Sequence, residues 1–187
     1  MSLCAESLRR ILAEPLDYVH PQRLSLASTL DTSVVRKHIN QLLSQQLCSL
    51  DSEQRLSPVA RSWVEHWRLL PDAAALIGAY LAWPHLAAGG RLTHLPKAQR
   101  QFAALRIAPR LAHCAFDGLP LPEQLQALGL NALLGAREQV PQALSERLAL
   151  QFPVAVVARQ HDLPPASLDA ALFRLAIQHA RFHSNTD

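Results

Sequence analysis

Residues 70–83, Leu70-Pro-Asp-Ala-Ala-Ala-Leu-Ile-Gly-Ala-Tyr-Leu-Ala-Trp83, decide the fold class. Pro71 suits the first turn of a helix, and the residues after it are apolar almost all round, with Asp72 as their one charge. A helix that is apolar on every side belongs in the centre of a core and is packed by other helices. The apolar run over residues 73–83 is about half of the ~20 residues that a membrane span needs, so we expect a soluble protein.

The rest of the chain favours helix as well. The 187 residues are 49% hydrophobic but only 5% aromatic, and neither an alternation of β-branched residues nor a hairpin turn indicates a strand. Thirteen prolines are spread along the chain. The sequence therefore predicts an all-α fold, a compact array of about eight to ten short helices punctuated by prolines. We expect a single helical domain over residues 1–187, or two small lobes with a boundary in the loop near 84–93.

The apolar spacing between prolines places the individual helices. We expect Thr32 or Asp31 to cap one helix and Ser57 to cap another, with Pro58 in its first turn. Trp63 and Trp67, one turn apart, fit a core stripe better than an exposed hot spot. The predicted helices cover about residues 2–13, 32–47, 58–70, 72–83, 96–108, 122–136, 141–152, 153–160 and 165–183, with a short helix or turn over 109–116.

Two of these helices have a predicted buried face. In the helix over 96–108, that face consists of Ala98, Phe102 and Leu105. In the helix over 165–183, it consists of Leu168, Leu172, Leu175, Ala176 and His179.

The net charge of +3 is concentrated in one part of the chain. Residues 73–116 contain no acidic residue, and their five basic residues are Arg91, Lys97, Arg100, Arg106 and Arg110. Such a segment can form a docking patch for an acidic protein surface or a phosphate. Alternatively, acidic residues from elsewhere in the fold neutralise it.

The cysteines and the first residues indicate a cellular location. Cys4, Cys48 and Cys114 are odd in number, far apart and without a CxxC spacing, which is typical of reduced thiols. Residues 1–13 carry Glu6 near their middle and arginines near their end, the wrong order for a signal peptide. The sequence therefore predicts a cytoplasmic protein.

No motif in the sequence predicts catalysis or cofactor binding. There is no nucleophile elbow, no glycine-rich phosphate loop and no zinc-protease motif. His179 and His183 are four residues apart and would share a helix face, but two further metal ligands have no candidate at a recognisable spacing. The neighbouring His113 and Cys114 are an equally weak catalytic pair. We expect no enzyme, no cofactor and no metal.

A DNA-binding function is the main alternative. Residues 24–47 resemble the helix-turn-helix of winged transcription regulators, a short helix followed by a capped turn and a polar-faced helix. Gln46, where a turn glycine is usual, and the glycine-free, acidic stretch after it are poor matches to a wing. The side chains that would face a major groove are Arg36, Lys37, Asn40 and Gln41.

Three blocks of sequence, in this order, resemble one known family. They are Glu14-Pro-Leu-Asp-Tyr-Val-His-Pro-Gln-Arg-Leu24, Arg36-Lys-His-Ile-Asn40 and Trp67-Arg-Leu-Leu-Pro-Asp-Ala-Ala-Ala-Leu-Ile-Gly78. Together they resemble the OrgA/MxiK family, the SctK components of bacterial type III secretion systems. The resemblance covers about residues 8–110 and does not extend to residues 117–187.

The resemblance implies a small, cytoplasmic, mainly helical adaptor without catalytic activity. Such an adaptor belongs to the sorting platform beneath the inner membrane. Its implied partners are the cytoplasmic domain of the inner-membrane ring protein, of the SctD type, and the pod protein, of the SctQ type, with no nucleic acid. The matched residues have implied structural roles, in a turn for Tyr18, His20 and Pro21, and in the core for Trp67, Leu70, Pro71 and Gly78.

Overall fold

The computed structural model is helical and describes residues 3–51, 54–107, 109–111, 114 and 118–184. These residues contain no β-strand, which confirms the predicted all-α fold. The α-helices described are α1 (Leu3–Ala13), α2 (Ser33–Gln45), α3 (Pro58–Glu65), α4 (Leu70–Leu81), α5 (Trp83–Ala88), α6 (Lys97–Ala103), α7 (Leu121–Leu134), α8 (Gln142–Leu150), α9 (Val154–His161) and α10 (Ala170–Ser184).

Two helix starts follow the predicted capping residues. The Thr32 hydroxyl accepts a hydrogen bond from the Val35 N–H at 3.3 Å and caps α2. The Ser57 hydroxyl accepts one from the Ala60 N–H at 3.0 Å, directly before Pro58, and caps α3. Each cap satisfies an amide that the first turn of a helix leaves without an intrahelical partner.

Helix α6 ends at Ala103, earlier than the predicted end near 108. The Arg110 guanidinium donates to the carbonyls of Ala103 and Leu105, at 2.9 and 2.6 Å, and the Tyr80 hydroxyl accepts the Ile107 N–H at 3.0 Å. These side chains bind the backbone groups that a longer helix would have paired, so they end α6. Residues 109–111 and 114 are not helical, and the rest of the predicted element over 109–116 lies outside the described residues.

The segment near 84–93, predicted as a loop, is mostly helical. Helix α5 occupies its first part, and a single 3₁₀ turn, Arg91–His94, occupies its end. Gly90, between them, has a φ of 66°, a left-handed conformation that glycine adopts without the steric cost of a Cβ. The prediction of a loop was therefore wrong except at the two glycines.

The chain divides into two compact units. The first consists of Met1–Arg68 and Arg137–Val154, and the second of Leu69–Ala136 and Ala155–Asp187. The first thus contains α1, α2, α3 and α8, and the second contains α4 to α7, α10 and nearly all of α9. The predicted lobe boundary near 84–93 lies inside the second unit.

The core of the first unit contains the contact between α1 and α3. Leu8 and Ile11 of α1 are buried, as are Ala60, Trp63 and Val64 of α3. Trp63 has no exposed surface, and burying an aromatic side chain of this size contributes a large share of a small core. Trp63 and Trp67, which the sequence analysis placed in a core stripe, are therefore both core residues.

The second unit is built around the crossing of α4 and α7. Eight of the twelve residues of α4 are buried, as its apolar sequence predicts. Gly78 of α4 lies against the backbone of Leu125, and Gly129 of α7 lies against the backbone of Ala74. A Cβ built on either glycine would stand 1.8 Å from the carbonyl oxygen of the opposing helix. Only glycine allows the two backbones to come this close.

Helices α6 and α10 also pack against α4, but of the eight positions predicted to be buried only Phe102, Leu172 and Ala176 are so. Leu105 is 42% exposed, because α6 ends before it. Leu175 is also exposed, so it does not belong to the inner face of α10. Helix α10 begins only at Ala170, where the Asp169 carboxylate accepts the Leu172 N–H at 2.7 Å, so Leu168 precedes it. The buried residues of α10 are Leu172, Phe173, Ala176, Ile177 and Ala180.

Candidate functional site

Tyr18, the aromatic residue of the first matched block, is held inside the first unit. Its hydroxyl donates to the Ile11 carbonyl at 2.8 Å, and its ring meets the Trp67 ring edge-on at a centroid distance of 5.4 Å. Burial raises the pKa of Tyr18 above its ordinary value, and the nearby Arg147 guanidinium opposes that shift. Tyr18 therefore connects α1 to the residues around Trp67 and has a structural role.

His20 and Pro21 belong to a turn that is bound to the end of α8. The His20 N–H donates to the Leu150 carbonyl at 2.8 Å, and Arg23 Nε donates to the Phe152 carbonyl at 2.5 Å. The His20 ring nitrogen Nδ1 accepts the Gln22 N–H at 3.2 Å across the turn. Carbonyls at a helix C-terminus lack hydrogen-bond donors within the helix, and this turn supplies such donors.

A second network in the first unit joins Cys48 to α8. The Glu146 carboxylate accepts the Cys48 N–H at 2.7 Å and its S–H at 3.0 Å, while Arg147 donates to the Cys48 carbonyl at 2.8 Å. The hydrogen bond to Glu146 raises the pKa of the Cys48 thiol, which disfavours the thiolate form. The sequence gives no sign of this pair, because its members are 98 residues apart.

We expect Glu146→Gln to change how stability depends on pH. Hydrogen bonds from the Cys48 backbone and thiol lower the pKa of Glu146 below its ordinary value of 4.5. A lowered pKa stabilises the fold above the unfolded-state pKa, and that contribution is lost as the pH falls through the folded-state value. Because Glu146 is only half-buried and partly screened by solvent, we expect about 1 kcal/mol or less.

Urea unfolding at pH 7 and pH 3 tests this prediction. The wild-type protein should be more stable than Glu146→Gln at pH 7, and the difference should shrink towards pH 3, as the pH falls through the lowered pKa of Glu146. Glu65→Gln, an exposed glutamate of α3, serves as the control. An equal difference at both pH values would contradict the role given to the Glu146 carboxylate.

The structure contradicts the helix-turn-helix interpretation. Residues 24–32 form turns and irregular chain, so the first helix of the motif is missing. Arg36 forms ion pairs with two aspartates, at 2.7 and 2.9 Å, and Asn40 accepts the Leu16 N–H at 2.8 Å. Lys37 and Gln41 alone of the four proposed groove-facing residues remain exposed without such a role. The polar face of α2 therefore holds the turn after α1.

Arg110 differs from the other basic residues of the acid-free segment. Its guanidinium lies 5.0 Å from the centroid of the Tyr80 ring and 5.4 Å from that of Trp83. It also donates to the carbonyls of Ala103, the last residue of α6, and of Leu105. Cation–π contacts and paired donors fix this side chain in the second unit, so its charge is committed to the fold.

The remaining four residues are called here the cationic segment. They are Arg91, Lys97, Arg100 and Arg106. All four are exposed, and Lys97 and Arg100 are three residues apart on α6, which places them on one side of that helix. Within the part of the chain that the structure describes, Lys97, Arg100 and Arg106 form no ion pair. Among the described residues, no acidic side chain thus neutralises these three cations by an ion pair.

The two histidines considered as metal ligands lie in the last turns of α10. Their rings are 4.5 Å apart, and His179 also packs against the Phe102 ring at 5.3 Å. His179 Nε2 lies 3.0 Å from the Ala98 carbonyl oxygen. Over the described ranges, no three metal-binding side chains come together. His179 thus joins α10 to α6.

A cavity of about 800 Å³ lies within the second unit, beside α4, α7 and the segment before α10. Its walls are largely apolar and include Leu81, Leu128 and Leu172. The Asn131 amide in the wall donates to the Pro164 carbonyl at 2.8 Å and accepts from the Gln160 amide at 3.1 Å. This polar group therefore holds the Pro164-Pro165 segment in place.

The helical fold and the matched blocks agree with one class of protein, the bacterial type III secretion apparatus proteins. The family described as bacterial type III secretion apparatus protein (OrgA_MxiK) matches residues 8–182, and the chain belongs to this family. This confirms the resemblance and extends it into the C-terminal part that the three blocks did not cover. The family is not a known class of enzyme.

The curated relatives agree with the family match. The oxygen-regulated invasion protein OrgA, from three strains of Salmonella typhimurium, is 29% identical over 181 residues, which are 95% of this chain and 88% of the relative. No solved structure matches the chain. None of the helices in its described part has both the length and the apolar character required to cross a membrane.

Proposed function

We propose that this protein is a non-enzymatic adaptor of the type III secretion sorting platform. It would act in the cytoplasm at the inner membrane and link the ring protein of the SctD type to the pod protein of the SctQ type. Membership in a family of secretion-apparatus proteins supports a role that depends on protein partners. The observation that carries the proposal lies in the cationic segment, where Lys97, Arg100 and Arg106 are exposed and form no ion pair among the described residues.

Exposed charges of this kind suit a docking surface better than a structural role. Ion pairs at a protein surface contribute about 0–1 kcal/mol to stability, so little is lost from the fold by leaving these cations exposed. Across an interface, the same charges speed association and select the orientation of a partner with the opposite sign. An acidic surface on the ring protein or the pod protein would supply that sign.

Co-purification tests the proposed function. Tagged full-length protein, isolated from its native cells, should bring down both the pod protein and the ring protein, identified by mass spectrometry. A chain with the tag at the other end controls for a blocked surface. Preparations that lack both partners with either tag would overturn the adaptor function.

We expect Arg100→Glu combined with Arg106→Glu to weaken binding to one of the two partners at least tenfold, through lost attraction and new repulsion. Both side chains are exposed and unpaired among the described residues, so helical content measured by circular dichroism should not change. The matched control is Arg61→Glu combined with Arg68→Glu, which changes the net charge equally at exposed positions of the first unit. Equal binding by both double variants would refute a docking role for the cationic segment.

A further inference from the structure

Helix α10 exposes two large apolar side chains on its outer face. Phe182 is 76% exposed and Leu175 is 38% exposed. They are seven residues apart, about two turns, so they lie on the same side of the helix, roughly 10 Å from each other. The inner residues of α10 pack in the second unit against α4 and α6, so this outer side points away from that core. A phenylalanine exposed to this extent is unusual for a residue type that is mostly buried.

Basic side chains border this apolar pair. Arg174 and Arg181 are also seven residues apart and are exposed along one flank of Leu175 and Phe182. Helix α6, with Lys97 and Arg100, lies beside α10, where His179 meets the Ala98 carbonyl oxygen. The fifteen residues of α10 include no acidic residue. The surface thus has apolar anchors with positive charge around them.

We propose that this surface, the α10 outer face formed by Arg174, Leu175, Arg181 and Phe182, binds an amphipathic helix of a secretion-apparatus partner. That helix would insert apolar residues at i and i+7 spacing against Leu175 and Phe182, and its aspartates and glutamates would meet the arginines. Helix recognition commonly uses anchors at this spacing. Aromatic and arginine side chains are also the residues that most often dominate the energy of an interface. The proposal rests on the proposed adaptor function.

The positive charge of the α10 outer face favours an acidic partner helix over a second copy of this chain. Two α10 outer faces brought together would oppose arginine to arginine, with no acid on either helix to compensate. The acidic flanks of a partner helix would instead complement those arginines.

The apolar content of the face argues against a membrane surface. A helix that binds a bilayer buries a broad apolar face by about 5–10 Å. Here the exposed apolar surface is limited to Leu175, at 38% exposure, and Phe182, at 76%. This geometry fits a groove between helices better than insertion into lipid.

Binding of purified pod protein and of the purified cytoplasmic domain of the ring protein to the full-length chain tests the proposal. We expect Phe182→Ser to weaken one of the two interactions at least tenfold, and Phe182→Leu to retain most of it, since leucine keeps the apolar anchor. Val34→Ser is the matched control, because Val34 is also 76% exposed but lies on α2. Arg174→Glu should weaken the same interaction and reduce its dependence on salt concentration.

Each contrary result has a distinct meaning. If the wild-type chain binds neither partner, the adaptor function fails and this proposal fails with it. If the wild-type chain binds and Phe182→Ser binds equally well, the α10 outer face is refuted while the adaptor function stands. Two further results would also overturn the proposal. Cosedimentation with phosphatidylglycerol vesicles that depends on Phe182 would identify lipid as the ligand of this face. A dimer in equilibrium sedimentation that depends on Phe182 would identify a second copy of the chain as its partner.

Discussion

Replacing Gly129 by alanine is expected to lower the free energy of unfolding by about 3 kcal/mol. The new Cβ would stand 1.8 Å from the Ala74 carbonyl oxygen, far closer than a carbon and an oxygen that are not bonded can approach. The obstacle is the backbone of α4, which cannot rotate away as a side chain could. Helices α4 and α7 would have to separate, and the buried residues between them would lose their packing.

The sign of this effect makes the prediction specific. At an unobstructed position inside a helix, glycine to alanine stabilises a protein by about 0.5–1 kcal/mol. Gly78→Ala should destabilise like Gly129→Ala, because its Cβ would meet the Leu125 carbonyl oxygen at the same distance. Gly89→Ala is the control, since the nearest atom there is 3.3 Å away and the φ of Gly89 is −89°.

Urea denaturation of the three variants measures these differences. The variants at the helix crossing should unfold at clearly lower urea concentrations than the wild-type protein, and Gly89→Ala should unfold close to it. Stabilisation by Gly129→Ala would mean that α4 and α7 do not approach this closely.

The second large effect is expected for Arg147→Met, a loss of about 3 kcal/mol. Arg147 is only 3% exposed, and its guanidinium donates to the Cys48 carbonyl at 2.8 Å and to the Ala143 carbonyl at 3.0 Å. Its second terminal nitrogen also lies 3.5 Å from the Leu12 carbonyl oxygen. Methionine preserves much of the volume but leaves the half-buried Cys48 carbonyl without this donor.

The geometry of the donors provides a further test. Lysine has the charge of arginine but not its planar fork, so Arg147→Lys should recover only part of the lost stability. Arg61→Met, at an exposed position of α3, should unfold like the wild-type protein. Full recovery by lysine would show that charge alone, and not the directed pair of hydrogen bonds, is what Arg147 contributes.

Local sequence signals predicted the helical elements well. A serine or threonine before an apolar repeat marks a helix start wherever its hydroxyl can reach the third amide along, as at Thr32 and Ser57. Because these interactions span a few residues, the order of residues is enough to reveal them. The central place of α4 follows from its composition in the same way.

The errors occurred where distant residues determine the outcome. Helix α6 ends early because Tyr80 and Arg110 bind its following backbone groups, and nothing between 96 and 108 announces this. In α10, Leu168 and Leu175 have suitable spacing, but Asp169 starts the helix after Leu168 and the packing on α4 selects Phe173 and Ile177 instead. The spacing of apolar residues shows that a helix has an apolar face. It does not always show which of these residues are buried.

The candidate site was predictable only in part. The excess of basic residues between 91 and 110 is visible in the sequence, and four of its five members are exposed. That Arg110 instead stacks on Tyr80 and Trp83 depends on side chains brought near by folding. The exposure of Phe182 was missed as well, because an aromatic residue in a helix is first expected to be buried in the core.

The division of the first unit between two stretches of chain has a consequence for biosynthesis. Helices α1 to α3 leave the ribosome first, but the carbonyls of Leu150 and Phe152 and the guanidinium of Arg147 are made only after the whole of α4 to α7. The first helices therefore wait without these hydrogen-bond partners while the next unit is translated. This interval is when a nascent chain would most need a chaperone, and a fragment cut anywhere before α8 would remain in that state.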